Sequence, residues 1–364
     1  MTWRARYLAL LADPGFQRWA MRFPLTRFVA RRRARALFDL TAGFVYSQVL
    51  AACVQLGLFE ILRVGPLAVD ALATRLDLPP EGAERLLRAA TALHLTAATR
   101  DGNYALGSLG AALLGNPGVI GMIDHHALLY QDLADPVGLL RQRRAGALSQ
   151  YWPYAGAGDP AEVPPSQVAA YSALMAASNG MIADQVLHAY DITRHRRLMD
   201  VGGGEGAFLI AAGARAPGLA LTLFDLPPVA ARAESRFAQA GLGDRATAVG
   251  GDFFRDALPD GADLITLLRV VHDHDDGAAL ALLRGVRRAL PLGGRLLLAE
   301  PMAETAGAEP AGDAYFGFYL LAMGSGRPRP AELLLDMLRQ AGFRQARQLR
   351  TSAPMLTGLI VADA

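Results

Sequence analysis

Leu198-Met-Asp-Val-Gly-Gly-Gly-Glu-Gly-Ala207 is a short apolar run that ends in an acid and a glycine-rich turn. Such a run predicts a strand, a tight turn and the start of a helix. A second acid, Asp225, closes the next apolar run. Strand, glycine turn and downstream acid describe a crevice for an adenosine-containing cofactor. From residue 195 onward, apolar runs alternate with helical stretches. Strands are predicted at Arg197 to Val201, Leu219 to Phe224, Ala246 to Val249, Asp263 to Val271 and Arg295 to Ala299. That alternation predicts an α/β fold with a doubly wound, mostly parallel, Rossmann-like sheet. Ala346 to Thr351 and Met355 to Ala362 read as two final strands joined by a short turn, hence antiparallel.

Two cofactors fit the turn. Gly202, Gly204 and Ala207, with Asp225 downstream, satisfy the dinucleotide fingerprint. Asp200, Gly202, Gly204 and Gly206 equally form an acid followed by alternating glycines, which suits S-adenosylmethionine. A dinucleotide would bring a pyrophosphate to the helix N-terminus, where nearby acids repel it. S-adenosylmethionine has no phosphate and carries a cationic end, which Asp200 would favour. Asp252 and Phe253 follow the third strand. They are placed to contact an adenine amino group and cover the ring, or Asp252 simply caps a helix.

Arg269-Val-Val-His-Asp-His-Asp-Asp276 follows the fourth strand, at the sheet edge where ligands bind in such folds. In an extended segment His272 and His274 would share a face, as metal ligands do, yet no third ligand is spaced for a metal. The other reading makes His272 a general base that takes a proton from a substrate hydroxyl. Glu300, which ends the fifth strand, would orient that imidazole; otherwise it is a solvated strand end.

Composition narrows the chemistry. All 36 basic residues are arginine, which removes a Schiff-base lysine, a pyridoxal phosphate site and a Walker lysine. The formal net charge of +2 gives no footprint for nucleic acid. Cys53, the one cysteine, sits in an apolar run and reads as core. Arg4, Arg6 and Asp13 break the first apolar run, so it does not read as a signal peptide. No uninterrupted apolar run of about 18 residues is present to span a membrane, which predicts a cytoplasmic protein.

Four regions emerge. Residues 1–35 hold nine arginines, one acid, and Trp3, Phe16, Trp19, Phe23 and Phe28. That mixture suits an anionic membrane surface, or an arm packed on the protein itself or its dimer mate. Residues 36–110 read as helix, helix, helix and a short hairpin, a winged-helix outline; a helix is expected over 36–62. Glu81 to Leu93 balances Arg85 and Arg88 against Glu81 and Glu84, which suits subunit pairing better than DNA. Residues 111–190 are helices and loops, with Met175 at helical spacing either lining a pocket or packing as core. Residues 191–364 form the cofactor domain.

Asp200-Val-Gly-Gly-Gly-Glu-Gly, Phe224-Asp-Leu-Pro, Gly251-Asp-Phe-Phe, His272-Asp-His-Asp-Asp, Pro291-Leu-Gly-Gly-Arg and Ala341-Gly-Phe occur in order. Over about residues 36–364 the chain resembles the class I O-methyltransferases of the caffeate and acetylserotonin type. Phe16-Gln-Arg-Trp, Gly43-Phe-Val-Tyr-Ser-Gln and Leu320-Leu-Ala-Met-Gly-Ser-Gly-Arg-Pro-Arg329 are similar to the carotenoid O-methyltransferases of purple photosynthetic bacteria. Those act on acyclic carotenoids of the hydroxyneurosporene and demethylspheroidene kind. The resemblance implies S-adenosylmethionine as cofactor and a tertiary hydroxyl of a hydrophobic carotenoid as acceptor. It also implies a homodimer through the N-terminal helices and a place at the inner photosynthetic membrane surface. It assigns Asp225 to the ribose, Asp252 and Phe253 to the adenine, His272 to proton acceptance, and Glu300 to one of two acids flanking it. The second acid aligns near Ala331 and Glu332. A basic residue expected at Leu268 is displaced to Arg269, a cofactor-side candidate, and an expected tryptophan is His274. Asp273 and Met323, with Met175, are the candidates for touching the acceptor. Other acceptors in the same class are a bacteriochlorophyll precursor or a small phenol. From other classes, a cofactor-binding regulator with its winged helix on DNA, and a dehydrogenase, are the competing readings.

Overall fold

The computed structural model describes residues 2–142, 146–151 and 180–364. The chain forms two compact units, residues 1–115 and 116–364. Residues 1–35 belong to the first unit and are helical, over Trp3–Ala12 and Pro14–Arg22. Thr2 and Asp13 cap these two helices by accepting backbone N–H groups of Ala5 and Phe16. A third helix runs from Arg27 to Gln55, so the segment expected to start at residue 36 begins nine residues earlier. It ends before Gly57, whose φ of +64° turns the chain into the short helix Leu58–Leu62.

Helices Val69–Leu76 and Pro80–Ala92 follow, then strands β1 (Thr96–Ala98) and β2 (Tyr104–Leu106) in an antiparallel hairpin. A bridge between Leu67 and Tyr104 extends that hairpin, completing a wing. On Pro80–Ala92, Arg85 and Arg88 pair with Glu81 and Glu84 one turn earlier. Cys53 is buried, and burial pushes its thiol up to about 11, which leaves it unreactive.

The long helix Arg27–Gln55 leaves Leu37, Phe38, Leu40, Phe44 and Val45 exposed. By length and composition it is apolar enough to cross a membrane, although no uninterrupted apolar run signals it. Asp39 interrupts its most apolar part. Exposure on this scale marks a surface made to be covered.

The second unit is built on a seven-stranded sheet. Its strands are β3 (Arg197–Val201), β4 (Ala220–Asp225), β5 (Ala246–Gly250), β6 (Leu264–Leu268), β7 (Arg295–Glu300), β8 (Arg344–Leu349) and β9 (Gly358–Asp363). The spatial order is β5-β4-β3-β6-β7-β9-β8, parallel except for β9, which inserts antiparallel between β7 and β8. β6 is buried at every position and β9 at every position but the last, as expected of strands covered on both faces. From β3 the chain winds one way through β4 and β5, then returns to β6 and winds the other way. The switch therefore lies between β3 and β6, and the crevice beyond their carboxyl ends is where such sheets bind ligands.

β6 is shorter than the predicted strand Asp263 to Val271. Pairing with β7 stops at Leu268, because Arg269 takes a left-handed φ of +58°. Residues Val271–Asp273 then form a single 3₁₀ turn before helix Asp276–Ala289. Chain reversal right after the strand brings the histidine back over the sheet edge rather than beyond it.

Candidate active site

The glycine turn is tied down on both sides. The Gly202 N–H donates to the Phe224 carbonyl at 2.8 Å, and the Gly204 N–H to Asp225 Oδ2 at 2.8 Å. Asp225 Oδ1 accepts the Leu226 N–H at 2.7 Å, so this carboxylate is held rigidly at the end of β4. Gly204 has a φ of +61° with open space where a side chain would stand. Only glycine holds that backbone without strain while leaving the crevice clear. The Gly204 N–H that a pyrophosphate would need is already given to Asp225. Glu205, beside the turn, is buried and paired with Arg232 at 2.6 Å and Arg236 at 2.9 Å, tying the turn to helix Pro227–Gln239.

Asp200 lies beneath this turn rather than on its open face. One carboxylate oxygen accepts from the Thr266 hydroxyl at 2.6 Å; the other, Oδ2, is buried without a hydrogen-bond partner. Burial, only partly offset by Thr266 and reinforced by Asp225, pushes the Asp200 carboxyl up to about 7. Burial likewise pushes Asp225 up to about 6, against the pull of the two N–H donors. Two buried acids, one of them with an orphaned oxygen, fit a ligand that brings positive charge and hydroxyl donors, and disfavour one that brings phosphate.

Asp252 and Phe253 stand past β5. Asp252 Oδ1 accepts the Phe254 N–H at 2.9 Å, and Oδ2 lies 3.5 Å from Arg255. The Asp252 side chain thus closes a local turn, and no helix follows for it to cap. Phe253, Phe254 and His274 pack edge to face, with centroids 4.7 to 5.6 Å apart. Phe253 also borders the glycine turn, 3.7 Å from the point a Gly202 side chain would occupy. Val270 fills the other flank of that point at 2.9 Å, so the cofactor crevice and the histidine turn share a wall.

Glu300 is 2 % exposed, not a solvated strand end. Its Oε1 accepts the N–H groups of Val270 at 3.1 Å and Val271 at 2.7 Å, and its Oε2 meets His272 Nδ1. His272 Nε2 lies 3.1 Å from Asp273 Oδ1. Burial lowers the His272 pKa, but the Asp273 and Glu300 carboxylates outweigh it, and the net direction is upward. Burial raises Asp273. The acid on the far side of the ring is therefore Asp273 itself. Glu332 is exposed in the first turn of helix Ala331–Gln340, and Ala331 carries no acid. His274 turns away from His272 onto the phenylalanines, so the two rings do not converge on a metal. Among the described residues no group of three potential ligands is found.

Arg269 sits with the histidine rather than in the cofactor crevice. Its guanidinium carbon lies 5.8 Å from the Phe316 ring centre, and its charge acts on His272 and Asp273. Phe316 meets His272 edge on at 6.3 Å. Phe316 belongs to a π-helical stretch, Pro310–Phe316, that comes close to the strand end because Gly312 leaves room for the Met302 carbonyl. Tyr315 and Tyr319 extend this wall, hydrogen-bonded to His126 at 2.7 Å and His125 at 3.1 Å. Burial lowers His125 to about 4 and raises Tyr315 to about 12, so those groups are neutral near pH 7. These four residues are about 190 positions apart in pairs, and no local spacing signals them. Met323 is 3 % exposed in a core with Leu129, Leu139 and Leu148, where it packs rather than lines an open pocket. Met175 lies outside the described residues.

Residues 130–344 match the O-methyltransferase domain family, and residues 38–116 match the O-methyltransferase dimerisation domain. A demethylspheroidene O-methyltransferase of Cereibacter sphaeroides is 44% identical over 354 residues, covering 97% of this chain and 93% of that protein. Its counterpart from Rhodobacter capsulatus is 42% identical, covering 94% and 85%. The solved structure of human N-acetylserotonin methyltransferase in complex with S-adenosylmethionine superposes with a TM-score of 0.76 at 27% identity, over 91% of this chain and 97% of that one.

Two measurements follow from the buried acids. A carboxyl raised in the folded state favours folding while protonated and disfavours it once ionised. Asp200 should thus cost the ligand-free protein stability as pH rises from about 4 to about 7. Asp200→Asn should remove that slope and weaken S-adenosylmethionine binding about tenfold or more; thermal melts across pH and calorimetric titration read both, and a parallel slope would refute it. The neutral imidazole of His272, the form able to take up a proton, appears only above its raised pKa. Turnover should therefore rise with pH through an inflection above the ordinary histidine value of 6.5. Glu300→Gln should lower that inflection and reduce plateau kcat about 100-fold; an unmoved inflection in a pH–rate profile would contradict it. By its crevice and its matched domains, the chain belongs to the O-methyltransferase family.

Proposed function

We propose that this protein transfers the methyl group of S-adenosylmethionine to the tertiary hydroxyl of an acyclic carotenoid, with His272 as proton acceptor. The observation that carries this reading is the His272–Glu300 pair, buried on a turn that shares Val270 with the glycine crevice. The 44% identity to a protein named demethylspheroidene O-methyltransferase supports the acceptor class.

In this reading Asp225 binds the ribose hydroxyls, Asp252 and Phe253 hold the adenine, and Asp200 favours the cationic end from below the turn. S-adenosylmethionine held there would supply an electrophilic methyl carbon on a sulfonium, the C–S electron pair going to sulfur as the acceptor oxygen took the methyl group. His272 Nε2 takes the hydroxyl proton late in the transfer, since a tertiary alcohol is too weak an acid to ionise beforehand. Glu300 keeps Nδ1 protonated and the ring oriented, and Asp273 stabilises the charge that Nε2 gains. Alignment of oxygen with the methyl carbon supplies much of the rate. The Tyr315–Phe316–Tyr319 wall also suits a planar phenol or a bacteriochlorophyll precursor, which makes these the second reading of the acceptor.

The exposed apolar side of Arg27–Gln55 and the match to a dimerisation domain support a homodimer. Trp3, Leu8, Leu10, Trp19, Leu25 and Phe28 are exposed among the arginines of residues 1–35. They support contact with an anionic membrane surface, from which a long polyene would be drawn into a cytoplasmic enzyme.

Incubation with methyl-labelled S-adenosylmethionine should place label on a tertiary ether of a hydroxylated acyclic carotenoid, and not on a phenol or bacteriochlorophyll precursor; label on either of the latter overturns the acceptor. His272→Ala should bind cofactor with normal affinity and lose about 100-fold or more in kcat. Replacing the exposed arginines of residues 1–35 with glutamine should weaken sedimentation with anionic vesicles, and unchanged sedimentation would remove the membrane role.

A further inference from the structure

Residues 325–329 lie across the histidine turn and take its carbonyls one after another. Arg329 Nη1 donates to the Val271 carbonyl at 2.9 Å, and the Arg327 N–H to the His272 carbonyl at 2.9 Å. The Ser325 hydroxyl donates to the Asp273 carbonyl at 2.8 Å, and Arg329 Nη2 to the His274 carbonyl at 2.6 Å. Four consecutive carbonyls, Val271 to His274, are thus held by one segment. The amide side of the same turn is held by Glu300 through Val270 and Val271.

Arg329 is the costly member of this set. Its side chain is 1 % exposed, and a buried guanidinium persists only when nearly all its donors are used. Its third direction goes to Asp276, where Nε donates to Oδ1 at 2.9 Å. Asp276 starts the helix that follows the turn, so one guanidinium plane spans the turn from Val271 to Asp276. Arg327 pairs with the same carboxylate at 2.7 Å and stays half-exposed. Gly326 permits the close approach: its φ is +76°, and a side chain there would fall 2.0 Å from the His272 carbonyl oxygen. Nothing in these contacts reaches the cofactor crevice or the proposed acceptor wall directly.

We propose that residues 325–329 form a strap, anchored by Arg329, that positions the His272 imidazole by holding the carbonyls of the turn that carries it. Arg329 is a positioning residue: it acts through the backbone, not on the reacting atoms. The strap decides where Nε2 stands relative to the acceptor oxygen and whether Nδ1 stays on Glu300. A lysine in its place keeps the charge but not the planar fork that grips two carbonyls and a carboxylate together.

This inference rests on His272 as the proton acceptor, and its test separates the two. In the ligand-free protein, side-chain NMR titration gives the His272 midpoint, assigned by loss of its signal in His272→Ala. Arg329→Lys and, independently, Gly326→Ala should bring that midpoint down toward the ordinary histidine value, as the hold of the Glu300 carboxylate slackens. Both should lower kcat about tenfold or more, leave S-adenosylmethionine affinity within about twofold, and lower the kcat inflection in parallel with the NMR midpoint. Gly326→Ala leaves Arg329 in place, so a folding defect peculiar to the arginine variant does not decide the matter. An unmoved midpoint and kcat in Gly326→Ala, or cofactor affinity lost in proportion to kcat in both variants, would overturn the strap. Near-normal kcat in His272→Ala would instead overturn the base assignment beneath it.

Discussion

The carboxylate of Glu300 is the constraint from which the site is built. A charge that deep is tolerated only if its oxygens are satisfied. Three donors do this, the N–H groups of Val270 and Val271 and Nδ1 of His272. Two of them are backbone groups that a continuing β6 would have spent on pairing with its neighbours β3 and β7. The strand therefore stops at Leu268, Arg269 takes up the left-handed bend, and the chain folds into a 3₁₀ turn over the strand end. Orientation of the imidazole and termination of the strand are consequences of the same buried acid.

The bend also joins the two halves of the chemistry. Val270 is pushed against Gly202, at the switch point between β3 and β6. Val270 thus belongs both to the wall of the glycine crevice and to the segment that leads into the histidine turn. Asp200 and Asp225, both raised by burial, keep that crevice energetically incomplete until a ligand supplies charge and hydroxyl donors. The first unit supplies what a sheet edge does not, an apolar helix surface for a second copy.

Much of this was legible in the residues. The strands of the sheet, the glycine turn, Asp225, and His272 and Glu300 after successive strands all follow from short-range pattern and chain order. The insertion of β9 between β7 and β8 did not, because hairpin spacing fixes pairing between neighbours and not the side on which the hairpin docks. β6 ends sooner than its sequence suggests: Val270 and Val271 are β-branched and apolar, and nothing local reveals that their amides serve Glu300. The resemblance puts a second acid near Ala331 and Glu332, whereas Asp273 reaches the ring from the adjacent position. Met323, a candidate contact for the acceptor, packs in an apolar cluster. The pairs His125–Tyr319 and His126–Tyr315, and the grip of Arg329 on the turn, join positions far apart in the chain. Side-chain chemistry at such distances has no period to betray it.

The most direct test of the account is a structure of the protein with S-adenosylhomocysteine and a hydroxylated acyclic carotenoid. The account predicts the tertiary oxygen within hydrogen-bonding distance of His272 Nε2, in line with the cofactor sulfur, with Glu300 still on Nδ1. A hydroxyl bound away from His272, or an imidazole released from Glu300 in that complex, would contradict it.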